Sequence, residues 1–574
     1  MARRVPAVSC CDAPSWGRFF VAAVGALLGT VGCRGGPPAE APAPVALAAS
    51  EPVPAPPWVP RDGATATPST ERTSPSPVLI KGARLLTGDG RDLARGYVLL
   101  RDGKIAAVGE GEAPEPPAGA EVIDAAGRVV TPGLIDTHSH MGVYPAPGVA
   151  AHMDGNEMTN PITAGARAID AVWVQDPSIE RALAGGVTTI QVLPGSGNLV
   201  GGRAVTLKLR RRPEVGSMRF RGAPPGLKMA CGENPKRVYG ERKKMPMSRM
   251  GNLKVQRQAF LDAKTLMGEW ARWATEEGER RAAAAQARAA LEAKRNERAQ
   301  QKADCREGKA DPKQCRKWAS TWATEPLVPP SEAELPPPKR NLDLETLAGA
   351  MTGHVLVHIH CYRADDMARM MALADEMGFR VRSFHHALEA YKIRDTLAAR
   401  DISVSTWADW WGFKMEAYDG IQENLALVFD AGARAIVHSD SEEGIRRLNQ
   451  EAAKGMWAGR HQGIEISDAE AAKWITLNPA WALGIDARVG SLTVGKDADV
   501  VVWDRADPFS VYARAERVYV DGHLALDRNR PSAPWSDFEA DPSEVPRPDA
   551  TAVGDRAPSP PPSSPSSAPR MSTP

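Results

Sequence analysis

A series of short apolar runs, several followed by a helical pattern, constrains this 574-residue chain more than any other feature. Val187-Thr-Thr-Ile-Gln-Val, Val205-Thr-Leu-Lys-Leu, His354-Val-Leu-Val-His-Ile-His360, Val381-Arg-Ser-Phe-His, Ile402-Ser-Val-Ser and Ala433-Arg-Ala-Ile-Val-His-Ser-Asp440 have the unalternating character of strands buried on both faces. Helical patterns such as Ala364–Met377 and Glu389–Ala399 lie between them. Repeated strand–helix units demand a parallel sheet, and the length suits a TIM-like (β/α)8 barrel, an α/β fold.

The barrel is flanked by segments of another kind. Val78-Leu-Ile-Lys, Ala83-Arg-Leu-Leu-Thr, Gly96-Tyr-Val-Leu-Leu, Lys104-Ile-Ala-Ala-Val and Glu121-Val-Ile-Asp are short strands separated by turn residues such as Arg101-Asp-Gly-Lys. Gly490-Ser-Leu-Thr-Val-Gly-Lys-Asp-Ala-Asp499-Val-Val-Val-Trp503 and Arg517-Val-Tyr-Val-Asp-Gly-His repeat that style. Either piece alone is small for independent folding, so residues 78–136 and 488–530 are expected to pair into one small β-sandwich around a barrel at 137–487. A charged, helical insertion is expected at 262–339, a solvated excursion that could serve as a lid or a dimer contact.

Composition narrows the function. Lys and Arg total 71 against 70 Asp and Glu, which gives no electrostatic case for nucleic acid. Arg3, Arg4 and Arg18 precede the apolar run Phe19–Val31, which is short for a membrane span and fits a secretory signal. Thr30-Val-Gly-Cys33 resembles a lipoprotein cleavage box, although Leu usually stands where Thr30 is. Residues 1–33 are therefore expected to direct export to the periplasm or cell surface, with a lipid on Cys33 as the one tie to a membrane. Residues 34–77 and 531–574 are Pro-rich, the first an expected tether and the second a disordered tail. Cys305 and Cys315 are close enough in sequence for a local disulfide, with two free thiols the alternative.

The chemistry-bearing residues fall at strand ends, where such barrels keep their active sites. Thr131-Pro-Gly-Leu-Ile-Asp136-Thr-His138-Ser-His140 places two imidazoles at i and i+2, on one face of a strand. Lys228 and Glu233 lie in Gly226-Leu-Lys-Met-Ala-Cys-Gly-Glu-Asn-Pro-Lys236. His358 and His360 again share a face. His385 and His386 are adjacent, so at most one is expected to face the site. Asp440 ends a late strand. Any one of these has a bland reading, but several on successive strand ends point to a metal site.

These motifs, with Gly186-Val-Thr-Thr189, Pro194-Gly-Ser-Gly-Asn-Leu-Val-Gly-Gly202, His438-Ser-Asp440, Thr476-Leu-Asn-Pro479 and Gly495-Lys-Asp-Ala-Asp499, resemble the amidohydrolase superfamily, in its imidazolonepropionase-like and prolidase-like branch. The resemblance runs from about Val78 to Leu526. It implies a metal-dependent hydrolase of a carbon–nitrogen bond in a small amide, cyclic amide or dipeptide, using one or two divalent ions, zinc by expectation. A ring deaminase and a binding scaffold without chemistry are the alternatives. It implies that His138, His140, His386 and Asp440 are metal ligands and that Asp440 is also the catalytic base. The fifth-strand ligand is His358 or His360, with His358 favoured; Lys228, as a carbamate, or Glu233 would bridge two ions. Arg363 and Asn198 are the expected substrate-binding side chains, although a tight connection is the stronger reading of the loop carrying Asn198. Cys361 and Tyr362, where relatives have a small residue, place an oxidisable thiol beside the site. Oligomeric state is left open, with a homo-oligomer compatible.

Overall fold

The computed structural model describes residues 55–59, 75–329 and 333–530. The expected signal, the lipidation site at Cys33, most of the tether and the Pro-rich tail lie outside the described residues. The chain divides into two compact units, one holding described residues 284–329 and the other holding the rest.

In the larger unit the first strands are β1 (Val78–Leu86), β2 (Asp92–Arg101), β3 (Lys104–Glu110), β4 (Glu121–Asp124) and β5 (Val129–Pro132). The barrel strands follow: β6 (Leu134–Ser139), β7 (Val187–Val192), β8 (Val200–Lys208), β9 (Gly226–Ala230), β10 (Leu356–Cys361), β11 (Val381–His386), β12 (Ser403–Thr406) and β13 (Ala435–Val437). The last three are β14 (Val500–Trp503), β15 (Ala515–Val520) and β16 (His523–Asp527).

The two distant flanks do combine. Their strands run β16-β15-β14-β5-β1-β2-β3, with β4 beside β1, and the join is the antiparallel pairing of β14 with β5. Ile80, Val98, Ile105 and Val130 from one flank share a buried core with Val500, Val502 and Tyr519 from the other. Neither flank has enough apolar surface to bury alone, which is why they close over each other.

The second sheet runs β13-β12-β11-β10-β9-β8-β7-β6 and makes a nearly closed barrel. One strand departs from the expected parallel series: β8 is antiparallel to both β7 and β9. The link Leu193–Leu199 is shorter than the dozen or so residues a parallel crossover needs, so the chain returns as a hairpin. Across the β13–β6 seam, the Asp440 amide donates to the His138 carbonyl at 3.0 Å. The buried Asp136 carboxylate also accepts there, from the Ser439 amide (3.2 Å), the Ser439 hydroxyl (2.5 Å) and the His138 amide (3.0 Å). The seam is therefore stitched at the very residues that carry the chemistry.

The helical insertion differs from expectation at its start. The helix spans Arg249–Arg306, and within the expected insertion it buries Ala263, Leu266, Trp270 and Glu277, so that part is core rather than a solvated excursion. In the smaller unit, the helix Pro312–Thr324 is capped by the Asp311 carboxylate and tied to the preceding helix by the Cys305–Cys315 disulfide. Trp322 Nε1 adds a hydrogen bond to Gln301 Oε1 at 3.1 Å. Among the described residues, no helix is long and apolar enough to cross a membrane.

Candidate active site

The barrel gathers its histidines at one rim. His138 and His140 leave β6 together, and their Nε2 atoms are 3.3 Å apart. Asp440 Oδ1 lies 3.1 Å from His140 Nε2 and 3.4 Å from His138 Nε2. The Lys228 amine, on β9, is 3.2 Å from His138 Nε2. His386 Nδ1 faces the other Asp440 oxygen at 3.9 Å. Two sets of three donors keep all their ligand atoms within 4.8 Å of one another: His138, His140 and Asp440, and His138, His386 and His438.

Two turns aim these groups. Asp440 (φ +47°) and His386 (φ +69°) both sit in the left-handed region, which costs a non-glycine residue energy and recurs at functional sites. The turn at His386 also decides between His385 and His386, of which at most one was expected to face the site. Alternation holds along a regular strand but not through a left-handed residue at its end. His385 points into the barrel, where its two nitrogens lie 2.9 Å from His138 Nδ1 and 2.9 Å from His358 Nδ1. His386 turns to the rim.

That row corrects an expectation. His358 Nδ1 is taken by His385, and its Nε2 meets the Gln191 amide at 3.5 Å, so neither nitrogen is left for an ion. His358 instead belongs to a buried row, Gln191–His358–His385–His138, that fixes the His138 ring. Of the β10 pair it is His360 that reaches the rim, with its ring 4.4 Å from that of His386 and its Nε2 3.2 Å from the Asn234 amide.

The other expected residues separate. Lys228 joins the cluster, whereas the Glu233 carboxylate pairs with Lys414 at 3.2 Å. Asn198 is buried and fully engaged: its amide donates to Glu157 O and Thr163 Oγ1, and its oxygen accepts from the Tyr239 hydroxyl. It holds the loop rather than a substrate, in line with the tight-connection reading. Arg363 turns back to Asp365 at 2.9 Å. Cys361 is not a free thiol, because it forms a disulfide with Cys231 between β10 and the end of β9. His438 was not among the expected site residues, although His438-x-Asp440 has the same i, i+2 spacing as His138-x-His140. Trp407, stacked 4.5 Å from His386, gave no signal in the sequence because nothing local distinguishes it from core.

The electrostatics suit a cation. Burial holds His138, His360, His385 and His386 well below the ordinary imidazole range and pushes His358 and His438 down to about 3. All are therefore neutral, the form that binds metals. Burial also pushes the Lys228 amine down to about 8. Burial opposes the Asp440 charge, yet the hydrogen bond from His140 and the surrounding positive groups hold the carboxyl below its usual value. Both nitrogens of His386 and Nδ1 of His438 are buried without a hydrogen-bond partner. Leaving such atoms unsatisfied costs about 1–3 kcal/mol each, which a bound cation would relieve. The residues present thus fit a metal ion.

A solved amidohydrolase from Thermotoga maritima MSB8 is 32% identical, over 79% of this chain and 100% of that one, with a TM-score of 0.61. The chain belongs to the amidohydrolase family. The Amidohydrolase family model itself matches residues 418–529 of this amidohydrolase. Amidohydrolase tasK of Hapsidospora irregularis is 32% identical over 447 residues, which are 75% of this chain and 40% of that protein. An imidazolonepropionase of Streptococcus pyogenes serotype M18 (strain MGAS8232) is 27% identical over 201 residues, 29% of this chain and 45% of that protein. The chain therefore spans less than half the length of these curated relatives.

Proposed function

We propose that this amidohydrolase is a metal-dependent hydrolase that cleaves an amide, a cyclic amide or a dipeptide. The observation that carries the reading is the Asp440 carboxylate within 3.4 Å of the Nε2 atoms of both His138 and His140. His138, His140, His386 and Asp440 would hold a divalent ion, with His438 completing the set. Nitrogen and carboxylate donors suit zinc. Lys228 would be a further ligand as a carbamate, since an amine held near pKa 8 is partly neutral and able to take up carbon dioxide. A bound ion supplies Lewis acidity, enough to bring the pKa of water from about 15.7 to near 7.

The protein's own part is proton handling and positioning. Asp440 accepts a proton from the attacking water as the water oxygen bonds to the carbonyl carbon. The carbon–nitrogen bond then breaks, and Asp440 returns the proton to the departing nitrogen, leaving a carboxylate and an amine. The buried row through His385 keeps His138 from rotating, and Asp136 fixes the Ser439–Asp440 backbone.

Metal content of the purified protein and hydrolysis of a dipeptide panel test the reading together. Stoichiometric zinc with release of amine and carboxylate is the expected result. Ammonia release without chain or ring cleavage would identify a deaminase. No metal after growth in zinc-supplemented medium would make the protein a binding scaffold. We also propose export to the periplasm or cell surface. The apolar run Phe19–Val31 supports it, as do two disulfides, which persist in oxidising compartments. Fractionation followed by labelling of lipid on Cys33 checks this.

A further inference from the structure

The segment from Trp407 to Tyr418 follows β12 and is unusually apolar for a surface loop. Trp411, Phe413 and Tyr418 are 59%, 56% and 63% exposed. The loop is nevertheless pinned. Trp407 Nε1 donates to the Ser439 carbonyl at 2.9 Å, and Asp409 pairs with Lys454 at 2.8 Å. Glu416 accepts from the Glu233 amide at 3.0 Å and pairs with Arg249. These anchors hold large apolar rings in water, where they would otherwise collapse or be covered.

The rings also form a row that begins inside the site. His386 is stacked with Tyr362 at 5.1 Å (15° between planes) and with Trp407 at 4.5 Å (22°). Trp407 is stacked in turn with Trp410 at 4.9 Å (13°). Phe413 meets both Tyr362 and Trp407 edge-on, at 6.1 and 6.4 Å. The nearby cations are already committed: Lys414 to Glu233 at 3.2 Å, and Arg363 to Asp365 at 2.9 Å.

We infer that the outer rings, Trp410 and Phe413, form a substrate subsite that takes a flat apolar group, an aromatic side chain or ring, beside the scissile carbon–nitrogen bond. The inference rests on the hydrolase reading above. Its physical basis is that aromatic pairs gain attraction beyond their buried area, enough for a selectivity of about tenfold. The row runs from the candidate ligand His386 through the buried Trp407 to Trp410, which sets the outer rings one ring away from the site.

The test uses the full-length, zinc-loaded protein. Binding of N-acetyl-L-phenylalaninamide and N-acetyl-L-alaninamide is measured by calorimetry, and kcat/KM is measured on Ala-Phe, Phe-Ala and Ala-Ala. The aromatic probe should bind about tenfold more tightly. Trp410→Ala should remove most of that ratio, Trp410→Phe should keep most of it, and the remote Trp457→Ala should leave it intact. Aromatic preference in binding without hydrolysis of any substrate would retain the subsite and overturn the hydrolase reading. Hydrolysis with no aromatic preference would do the reverse. Equal losses on both probes in Trp410→Ala would show a merely structural loop and overturn the inference. Absence of preference together with phosphatidylglycerol-vesicle binding lost in Trp411→Ala/Phe413→Ala would also overturn it, in favour of a membrane surface.

Discussion

Replacing Lys208 with Met should destabilise the fold in a strongly pH-dependent way. Lys208 ends β8, and its side chain is 2% exposed. Its amine lies 2.9 Å from Asp497 and 3.2 Å from Asp499, and it also contacts Asp521. Asp497 has two further cations, Lys104 at 2.6 Å and Arg488 at 2.7 Å, whereas Asp499 has only the Asp521 amide at 2.9 Å besides Lys208 among its described partners. Removing one member of a buried ion pair typically costs about 3–5 kcal/mol, because the charge left behind is uncompensated. Burial already pushes the Asp499 carboxyl up to about 6 with Lys208 in place. Its folded pKa therefore lies above the ordinary 3.8, so the fold favours the neutral acid. That stability is present below about pH 4 and is lost as the pH rises through the folded pKa. The Lys208→Met deficit should thus be small near pH 4.5 and reach the full few kcal/mol at pH 8. Urea unfolding followed by fluorescence at the two pH values measures it. The double variant Lys208→Met/Asp499→Asn should recover more than half of the loss at pH 8. A deficit below about 0.5 kcal/mol at pH 8, or one that does not change with pH, would refute the reasoning, since ordinary surface substitutions stay within that range.

Other outcomes follow from the same geometry. Asp440→Asn should lower kcat by about 10²–10⁴-fold, the usual worth of a positioned general base, with zinc content measured to separate chemistry from metal loss. Replacing Cys231 and Cys361 together with Ala should cost about 2–4 kcal/mol, a typical disulfide contribution, and reductant should lower the melting temperature of the wild type but not of the variant through this bond. Burial pushes Asp136 up to about 7, so in the metal-stripped protein its contribution to stability is present at pH 4 and lost as the pH rises through 7. Asp136→Asn should flatten that part of the stability–pH curve, which calorimetry across pH 4–8 would show.

Local pattern made the strand ends readable. Two residues apart on a strand means one face, so His138 with His140 announced a metal-type site, and the unalternating apolar runs announced a barrel. The pairing of the two flanks was readable too, because each was too small to bury its own apolar face. Position in the barrel decided the rest. Whether His358 or His360 reaches the rim depends on which lies deeper in β10, and that depth is fixed by pairing with β9 and β11 rather than by spacing. The double use of His385 and His386 needed a left-handed residue at the strand end, which is set by the turn and its packing. The reversal of β8, the Cys231–Cys361 bond and the stacking of Trp407 on His386 each join residues that are remote in the chain or ordinary in their neighbourhood. Sequence periodicity reports which face a side chain takes, whereas depth, partner and distance exist only once the strands are aligned.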